Sequence, residues 1–533
     1  MQQDYLPFKE TGYFSQLICD YLNHNSDLKA FYNRFPDIDN FAEQIEEKKS
    51  SFAARSRTVL TNVLRKQYKH LQASELTAQN IESLNSENTF TVTTGHQLNL
   101  FTGPLYFLYK IIAAINLSTQ LKAQYPQYNF VPVYWMATED HDFDEVNYFN
   151  FKGKKFQWNR KASGAVGELS TRGLDEVLEL FFQDLGVSNN ARDVKKLFEN
   201  AYLKHDNLAA ATRFLANELF KDYGLVIIDA NNRDLKRLFI PYVEEELGNQ
   251  TSFNAVNETN KKLIDVSDDY SIQVNPREIN LFYLDKNLRE RIVHDDGIYK
   301  VLNTNLKWSK SEMLKHLNEA PERFSPNVIM RPLYQEVILP NLCYIGGGGE
   351  LAYWMQLKQY FDAVDVPFPL LLLRNSVLIK TEKQAKKLQK LNISNQDIFL
   401  KRDAFINRKV RQISNIDIDF STQKQHLQKQ FEDLFKLAEQ TDKSYIGAVR
   451  AQEQKQLKGL EKLEKRLLQA QKKKLSDEVS RMTDIQNELF PNGNLQERTT
   501  NFSEFYLEYG DRLIQNLVEH LKPLHQEFSI ITQ

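Results

Sequence analysis

The stretch Thr89-Phe90-Thr91-Val92-Thr93-Thr94-Gly95-His96-Gln97 reads as a strand that runs directly into a glycine turn. β-Branched and aromatic residues from Thr89 to Val92 suit a pleated, buried surface, and Gly95 lets the main chain turn or approach a ligand closely. A helix is announced by Gly103-Pro104, with Pro104 at its first position. Its apolar residues Leu105, Leu108, Ile111, Ile112 and Ile115 recur at helical spacing. Further out, residues 130–137 form a second apolar strand that ends in Thr138-Glu139-Asp140-His141-Asp142, and residues 225–229, 343–345 and 369–373 supply three more. Short continuous apolar strands alternating with helices predict a parallel α/β sheet. The sequence therefore predicts a Rossmann-like core over residues 86–380, interrupted by connecting inserts at about 150–205 and 245–325. Residues 1–85 ahead of it read as helical, with Phe31, Phe35, Ile38 and Phe41 near helical spacing.

Beyond the core the pattern changes. Residues 381–490 read as an α-helical coiled-coil unit. Leu427, Phe431 and Leu434 mark one helix, and Thr441-Asp442-Lys443-Ser444 supply a capped break. A longer helix then runs to Leu489, its stripe of Leu475, Val479, Met482, Ile485 and Leu489 following three-four spacing. Such a stripe needs a partner, so a homodimer through these helices is expected. Residues 491–533 are expected to pack back on the core.

Composition narrows the function classes. The 533 residues are 41% hydrophobic and 26% charged, with formal net charge −2. This balance offers no whole-protein field to draw in nucleic acid or an anionic membrane. The most apolar segment, 368–373, is far too short to span a bilayer, and no basic start followed by an apolar run suggests secretion. Cys19 and Cys343 alone make neither a disulfide framework nor a thiolate metal cage. A soluble cytoplasmic protein without a thiolate metal cage is expected.

Three motifs can carry chemistry. The first is Thr93-Thr94-Gly95-His96-Gln97, where His96 can donate to phosphate oxygens. It is similar to the threonine form of the short motif with which nucleotidyl transferases hold ATP phosphates, which gives the core its type; the bland alternative is a tight turn with a structural histidine. The second is Thr138-Glu139-Asp140-His141-Asp142, an acidic cluster at the strand edge where open α/β sheets gather ligands. It can hold a substrate amine, place Mg²⁺ or act as a base, or it is a solvated helix start. The third is Gly346-Gly347-Gly348-Gly349-Glu350 before Leu351-Ala352-Tyr353-Trp354, a candidate anion loop that lacks the lysine of a P-loop. Arg331 with Gln335, and Arg374, offer forked donors for carboxylate or phosphate, or structural ion pairs.

Together these residues resemble the BshC family. The matching stretches are Thr94-Gly95-His96-Gln97 with Leu100-Phe101-Thr102-Gly103-Pro104, and Pro132-Val133-Tyr134-Trp135-Met136-Ala137 running on to Phe143. They continue with Phe324-Ser325-Pro326-Asn327-Val328 into Arg331-Pro332, then Gly346 to Trp354, and finally Phe490-Pro491-Asn492-Gly493 and Leu495-Gln496-Glu497-Arg498. The resemblance implies the last step of bacillithiol biosynthesis, an ATP-dependent joining of cysteine to glucosaminyl malate, with Mg²⁺ as a candidate companion of ATP. In that reading His96, Thr93, Thr94, Gly95, Gln97 and the glycines 346–349 serve the nucleotide. Thr138, Glu139, Asp142, Arg331, Gln335, Glu350, Tyr353, Trp354 and Arg374 serve the substrates, and Asp140 or His141 is the base toward the amine. The rival readings are a nucleotidyl transferase for another small acid and a non-catalytic, nucleotide-binding coiled-coil protein.

Overall fold

A computed structural model describes residues 2–533. Five strands build the central sheet: β1 (Thr89–His96), β2 (Asn129–Met136), β3 (Val226–Asp229), β4 (Asn341–Gly346) and β5 (Leu370–Leu373). Every pairing is parallel and the order is β3-β2-β1-β4-β5. The chain thus steps outward from β1 through β2 to β3, then crosses back to β4 and β5. Strand order reverses between β1 and β4, and in open α/β sheets the crevice at the carboxyl ends of such a pair takes ligands.

All of β1 is buried, which explains its continuous rather than alternating pattern. Thr91, Thr93 and Thr94 carry hydroxyls into a dry core and satisfy them on β4. The Thr93 hydroxyl donates to Asn341 Oδ1 at 2.8 Å and the Thr94 hydroxyl donates to the Ile345 carbonyl at 2.8 Å. The polar character of β1 therefore seals the two strands that flank the crevice.

The helix after β1, α1 (Tyr106–Gln124), packs its buried Leu108, Ile111 and Ile112 against the sheet. It begins later than expected. Pro104 forms a bridge with Asn501 instead of opening the helix, and Phe101 and Thr102 just before it both adopt left-handed backbone, at φ 51° and 71°. The Asn501 side-chain amide holds this strained turn by donating to the carbonyls of Phe101 and Gly103.

The first 85 residues are mostly helical, with one departure: Gln2–Leu6 is a strand. It pairs antiparallel with Phe528–Thr532, which pairs parallel with Val377–Lys380. Nothing local in Gln2–Leu6 announces this, because its ladder is supplied by residues at the far end of the chain. Between β3 and β4, the helix α2 (Arg233–Asn249) leads to an antiparallel sheet that includes Leu281–Asp285 and Leu288–Asp295 and is edged by Phe324–Pro326. This sheet stands over the crevice.

In the C-terminal coiled-coil domain, Ser421–Ala438 and Lys443–Lys474 form a helical hairpin around a small cluster of Phe431, Ala438 and Val449. The expected single helix to Leu489 is broken at Leu475, and Ser476–Leu489 continues as a separate helix. Its stripe has a partner within the chain. Met482, Ile485 and Leu489 are buried in the main core, and the Gln486 side chain donates to the carbonyls of Ile398 and Leu400. The stripe therefore docks the hairpin onto its own body, which corrects the expectation that it requires a second copy. Met482→Ala is expected to cost about 2–5 kcal/mol through loss of core packing and to leave the oligomeric mass unchanged. A lower denaturation midpoint at constant mass in light scattering is the result to look for. No helix among the described residues is long and apolar enough to cross a membrane.

Candidate active site

The carboxyl ends of β1, β2 and β4 open onto a cavity of about 770 Å³. β1 contributes Gly95 and His96, and the turn after β4 contributes Gly347, Gly348 and Gly349. The exit of β2 brings Thr138, Glu139, Asp140 and His141, and the antiparallel sheet closes the far side with Phe282, Arg289 and Arg291. Arg498 reaches in from the segment after the coiled coil. Seven cationic side chains and three carboxylates line this space, so its field favours anions.

The three carboxylates differ in what they already hold. Glu350, in the first turn of α4 (Gly348–Gln356; α3, Met330–Ile338, precedes β4), is fully committed. It accepts the Gly347 main-chain N–H at 2.8 Å and the Tyr344 hydroxyl at 2.7 Å, and pairs with Lys110 at 2.6 Å. Burial alone would push its carboxyl up, but Lys110 and these donors hold it below the usual range. Glu350 thus caps its own helix and takes the first N–H of the loop that was expected to cradle phosphate. Gly346 lies outside the cavity; a Cβ there would come within 2.9 Å of Glu350 and Leu351, so this glycine serves close packing.

Asp140 accepts the Gln97 amide at 2.9 Å through Oδ2 and the His141 N–H at 2.7 Å through Oδ1. His141 takes an N–H from Arg289 on Nδ1 at 2.6 Å, and burial together with that guanidinium lowers its pKa. Its lone pair is therefore engaged, and it presents Nε2–H to the cavity as a donor. Glu139 pairs through Oε2 with the buried Lys236 Nζ at 2.9 Å, and Lys236 also donates to the Phe324 carbonyl. Among the described residues nothing donates to Glu139 Oε1.

His96 corrects another expectation. Its Nδ1 lies 2.7 Å from the Gln97 carbonyl and must carry the proton there. Burial and then Lys110 push its pKa down to about 3. The neutral ring, set beside the Tyr106 and Phe107 rings, leaves Nε2 buried, unpaired and bearing a lone pair. In this state it accepts a hydrogen bond and does not donate to phosphate.

Other expected ligands are engaged within the fold, Thr138 and Arg374 at the cavity wall and the rest away from it. Thr93 and Thr94 bond to β4, as described above. Asp142 caps the short helix that follows it, accepting the Glu145 N–H. The Thr138 hydroxyl donates to Asp229 at 2.5 Å. Trp354 is fully buried, stacked on Tyr344 at 4.4 Å. Gln335 is also fully buried and stands behind Arg331, accepting its Nη1–H at 3.1 Å. Arg374 pairs with buried Glu497 at 2.7 Å, leaving only Nε without a partner toward Gly347.

Arg331 does face the space. It lies over the rings of Trp135 and Tyr344, with the Tyr353 hydroxyl beside it, and pairs with no carboxylate among the described residues. Sequence reasoning missed Lys110, Arg277, Arg289, Arg291 and Arg498. Lys110 had a signal: it is the sole charge in the buried run 107–118 of α1. Arg289 and Arg291 are two apart on one strand and so share a face, but that face matters only once the sheet is seen to cover the crevice.

The chain matches the family model described as "Bacillithiol biosynthesis BshC, N-terminal Rossmann-like domain" over residues 1–375, and its "C-terminal coiled-coil domain" over residues 377–533. Relatives named "Putative cysteine ligase BshC" include one from Flavobacterium johnsoniae, 60% identical over 100% of both chains. Another, from Cytophaga hutchinsonii, is 38% identical over 97% of this chain and 96% of its own. One from Bacillus thuringiensis is 28% identical over 94% of this chain and 95% of its own.

Proposed function

The chain belongs to the BshC family, and on that premise we propose that it is an ATP-dependent, cytoplasmic ligase that joins cysteine to glucosaminyl malate, completing bacillithiol. One observation carries this reading beyond family membership: the cavity at the β1/β4 reversal holds cations without carboxylate partners. Arg277, Arg291, Arg331 and Arg498 line it, and none forms an ion pair among the described residues. Guanidinium groups left without carboxylates in a cleft, Arg291 and Arg331 half-buried and Arg277 and Arg498 exposed, suit polyanions, here a triphosphate and a dicarboxylate. Arg331 lies at the sheet edge beside Gly95, and Arg291 lies on the covering sheet. The nucleotide therefore takes the β1/β4 side and the malate carboxylates the covering side.

A carboxylate does not acylate an amine until it carries a leaving group. ATP supplies one: the cysteine carboxylate displaces pyrophosphate, and the glucosamine nitrogen then displaces AMP. The glycine run ends in Glu350 rather than lysine, which argues against a P-loop route to an acyl phosphate. No three acidic or histidine side chains converge as a metal cage among the described residues. Magnesium enters this reading only as the counter-ion of ATP.

Purified protein given ATP, cysteine and glucosaminyl malate should form the amide with stoichiometric AMP and pyrophosphate. Stoichiometric ADP would overturn the adenylate route, and absence of the amide would overturn the ligase. Cells lacking the protein should lose bacillithiol and accumulate glucosaminyl malate, which thiol profiling reads directly. A homodimer through the helical hairpin remains part of this proposal, using its exposed Leu434, Leu437, Tyr445 and Leu463. A monomeric mass at micromolar concentration would exclude it.

A further inference from the structure

We infer that Glu139 is the base that takes the proton from the attacking amine. The assignment rests on the ligase reading above and goes further, naming a residue that stands apart from the base expected from sequence. The groups able to accept a proton at the cavity wall are few, and all but two are engaged. Asp140 is filled by Gln97 and main-chain N–H groups. Glu350 is filled by Lys110, Tyr344 and Gly347. His141 Nδ1 is filled by Arg289.

The two open acceptors are His96 Nε2 and Glu139 Oε1. Protonating His96 would create a buried cation near Lys110 and Arg374, both of which already oppose its charge. Protonating Glu139 at Oε1 adds no cation to that cluster, and Oε2 stays a neutral acceptor for Lys236, which keeps the Phe324 carbonyl as its second partner. Its other oxygen stays clamped by Lys236, itself 1% exposed and tied to the Phe324 carbonyl, so the open oxygen is held in place before substrate arrives. Arg289, beside Glu139 on the covering sheet, belongs to the wall assigned to the malate carboxylates. The acceptor's amine is thereby brought to the Glu139 side of the cavity.

The step balances. The nitrogen lone pair bonds to the acyl carbon as the carbonyl π electrons move to oxygen. The N–H proton passes to Glu139 Oε1. Collapse of the intermediate breaks the bond from the acyl carbon to the phosphate oxygen, releasing AMP, and the proton leaves Glu139 for water.

The test exploits a nucleophile that needs no base. Hydroxylamine is neutral at pH 7 and traps activated cysteine as the hydroxamate. In Glu139→Gln, kcat for amide formation should fall about 10²–10⁴-fold, the usual contribution of a general base. KM for glucosaminyl malate and the rate of cysteinyl hydroxamate formation should stay close to wild type. If the glutamine variant does not fold, Glu139→Asp, which draws the carboxylate back by one methylene, should show the same selective loss. Amide formation at the wild-type rate would overturn the assignment. Equal loss of amide and hydroxamate would also overturn it, by placing Glu139 in activation or in structure. A wild-type protein that forms neither product removes the ligase reading itself, and the assignment with it.

Discussion

Arg331→Met should lower kcat/KM for amide formation by about 10²–10³-fold, the scale of losing a preorganised donor to developing charge. The argument is geometric. The guanidinium lies over the Trp135 and Tyr344 rings, its Nη1 is fixed by Gln335, its Nη2 donates to the Tyr353 hydroxyl at 3.4 Å, and in the cavity it has no carboxylate partner among the described residues. Gln335 is fixed in turn: its amide donates to Glu336 at 3.0 Å. Arg331→Lys should be nearly as damaging, because a single ammonium replaces a planar fork that stacks and binds in bidentate fashion. Steady-state kinetics on variants that melt like the wild type give the answer. A kcat/KM within a few-fold of wild type in Arg331→Met would mean that the cation serves packing alone.

Lys48→Met should destabilise the fold by about 3–5 kcal/mol, the usual cost of stripping one partner from a buried ion pair. Lys48 Nζ meets Glu336 at 3.1 Å with both side chains essentially unexposed. Glu336 also accepts from Gln335 and Asn341, and Asn341 accepts the Thr93 hydroxyl of β1. The pair thus anchors both the β1/β4 seam and the residue that orients Arg331. Burial pushes the Glu336 carboxyl above its ordinary 4.5 even while Lys48 opposes the shift. Without Lys48 the folded state must keep that acid protonated while the unfolded chain releases the proton. The unfolded state then binds fewer protons, so the variant's stability falls as pH rises from about 4.5 through the raised folded value. Denaturation at pH 5 and pH 8 should show the larger deficit at pH 8. Adding Glu336→Gln should recover much of the loss, and a double variant as unstable as Lys48→Met would refute the ion-pair account.

The central strands were legible because burial on both faces leaves a continuous apolar or β-branched run, as in residues 370–373. Their order was not, since the reversal between β1 and β4 depends on crossovers that individual strands do not encode. The acidic run after β2 and the glycines after β4 were rightly placed at one sheet edge. The work of each side chain was not readable there. His96 was expected to donate, but a neighbouring carbonyl fixes its tautomer; Glu350 was expected to meet substrate, but it caps its own helix. The stripe at Met482 shows a different limit. Three-four spacing reveals that a helix face is buried, not whether the covering surface belongs to the same chain.

The ladder between Gln2–Leu6 and Phe528–Thr532 has a consequence for the order in which the protein is made. Its two strands are separated by about 520 residues, and translation at roughly 5–20 residues per second would put about half a minute to nearly two minutes between their syntheses. Throughout that interval Gln2–Leu6 offers an unpaired edge, the kind of template on which nascent chains associate. Val377–Lys380 waits as well, because its partner in this sheet is the same late strand. A nascent chain cut short before Phe528 would keep both edges open, however well its Rossmann-like core had already folded.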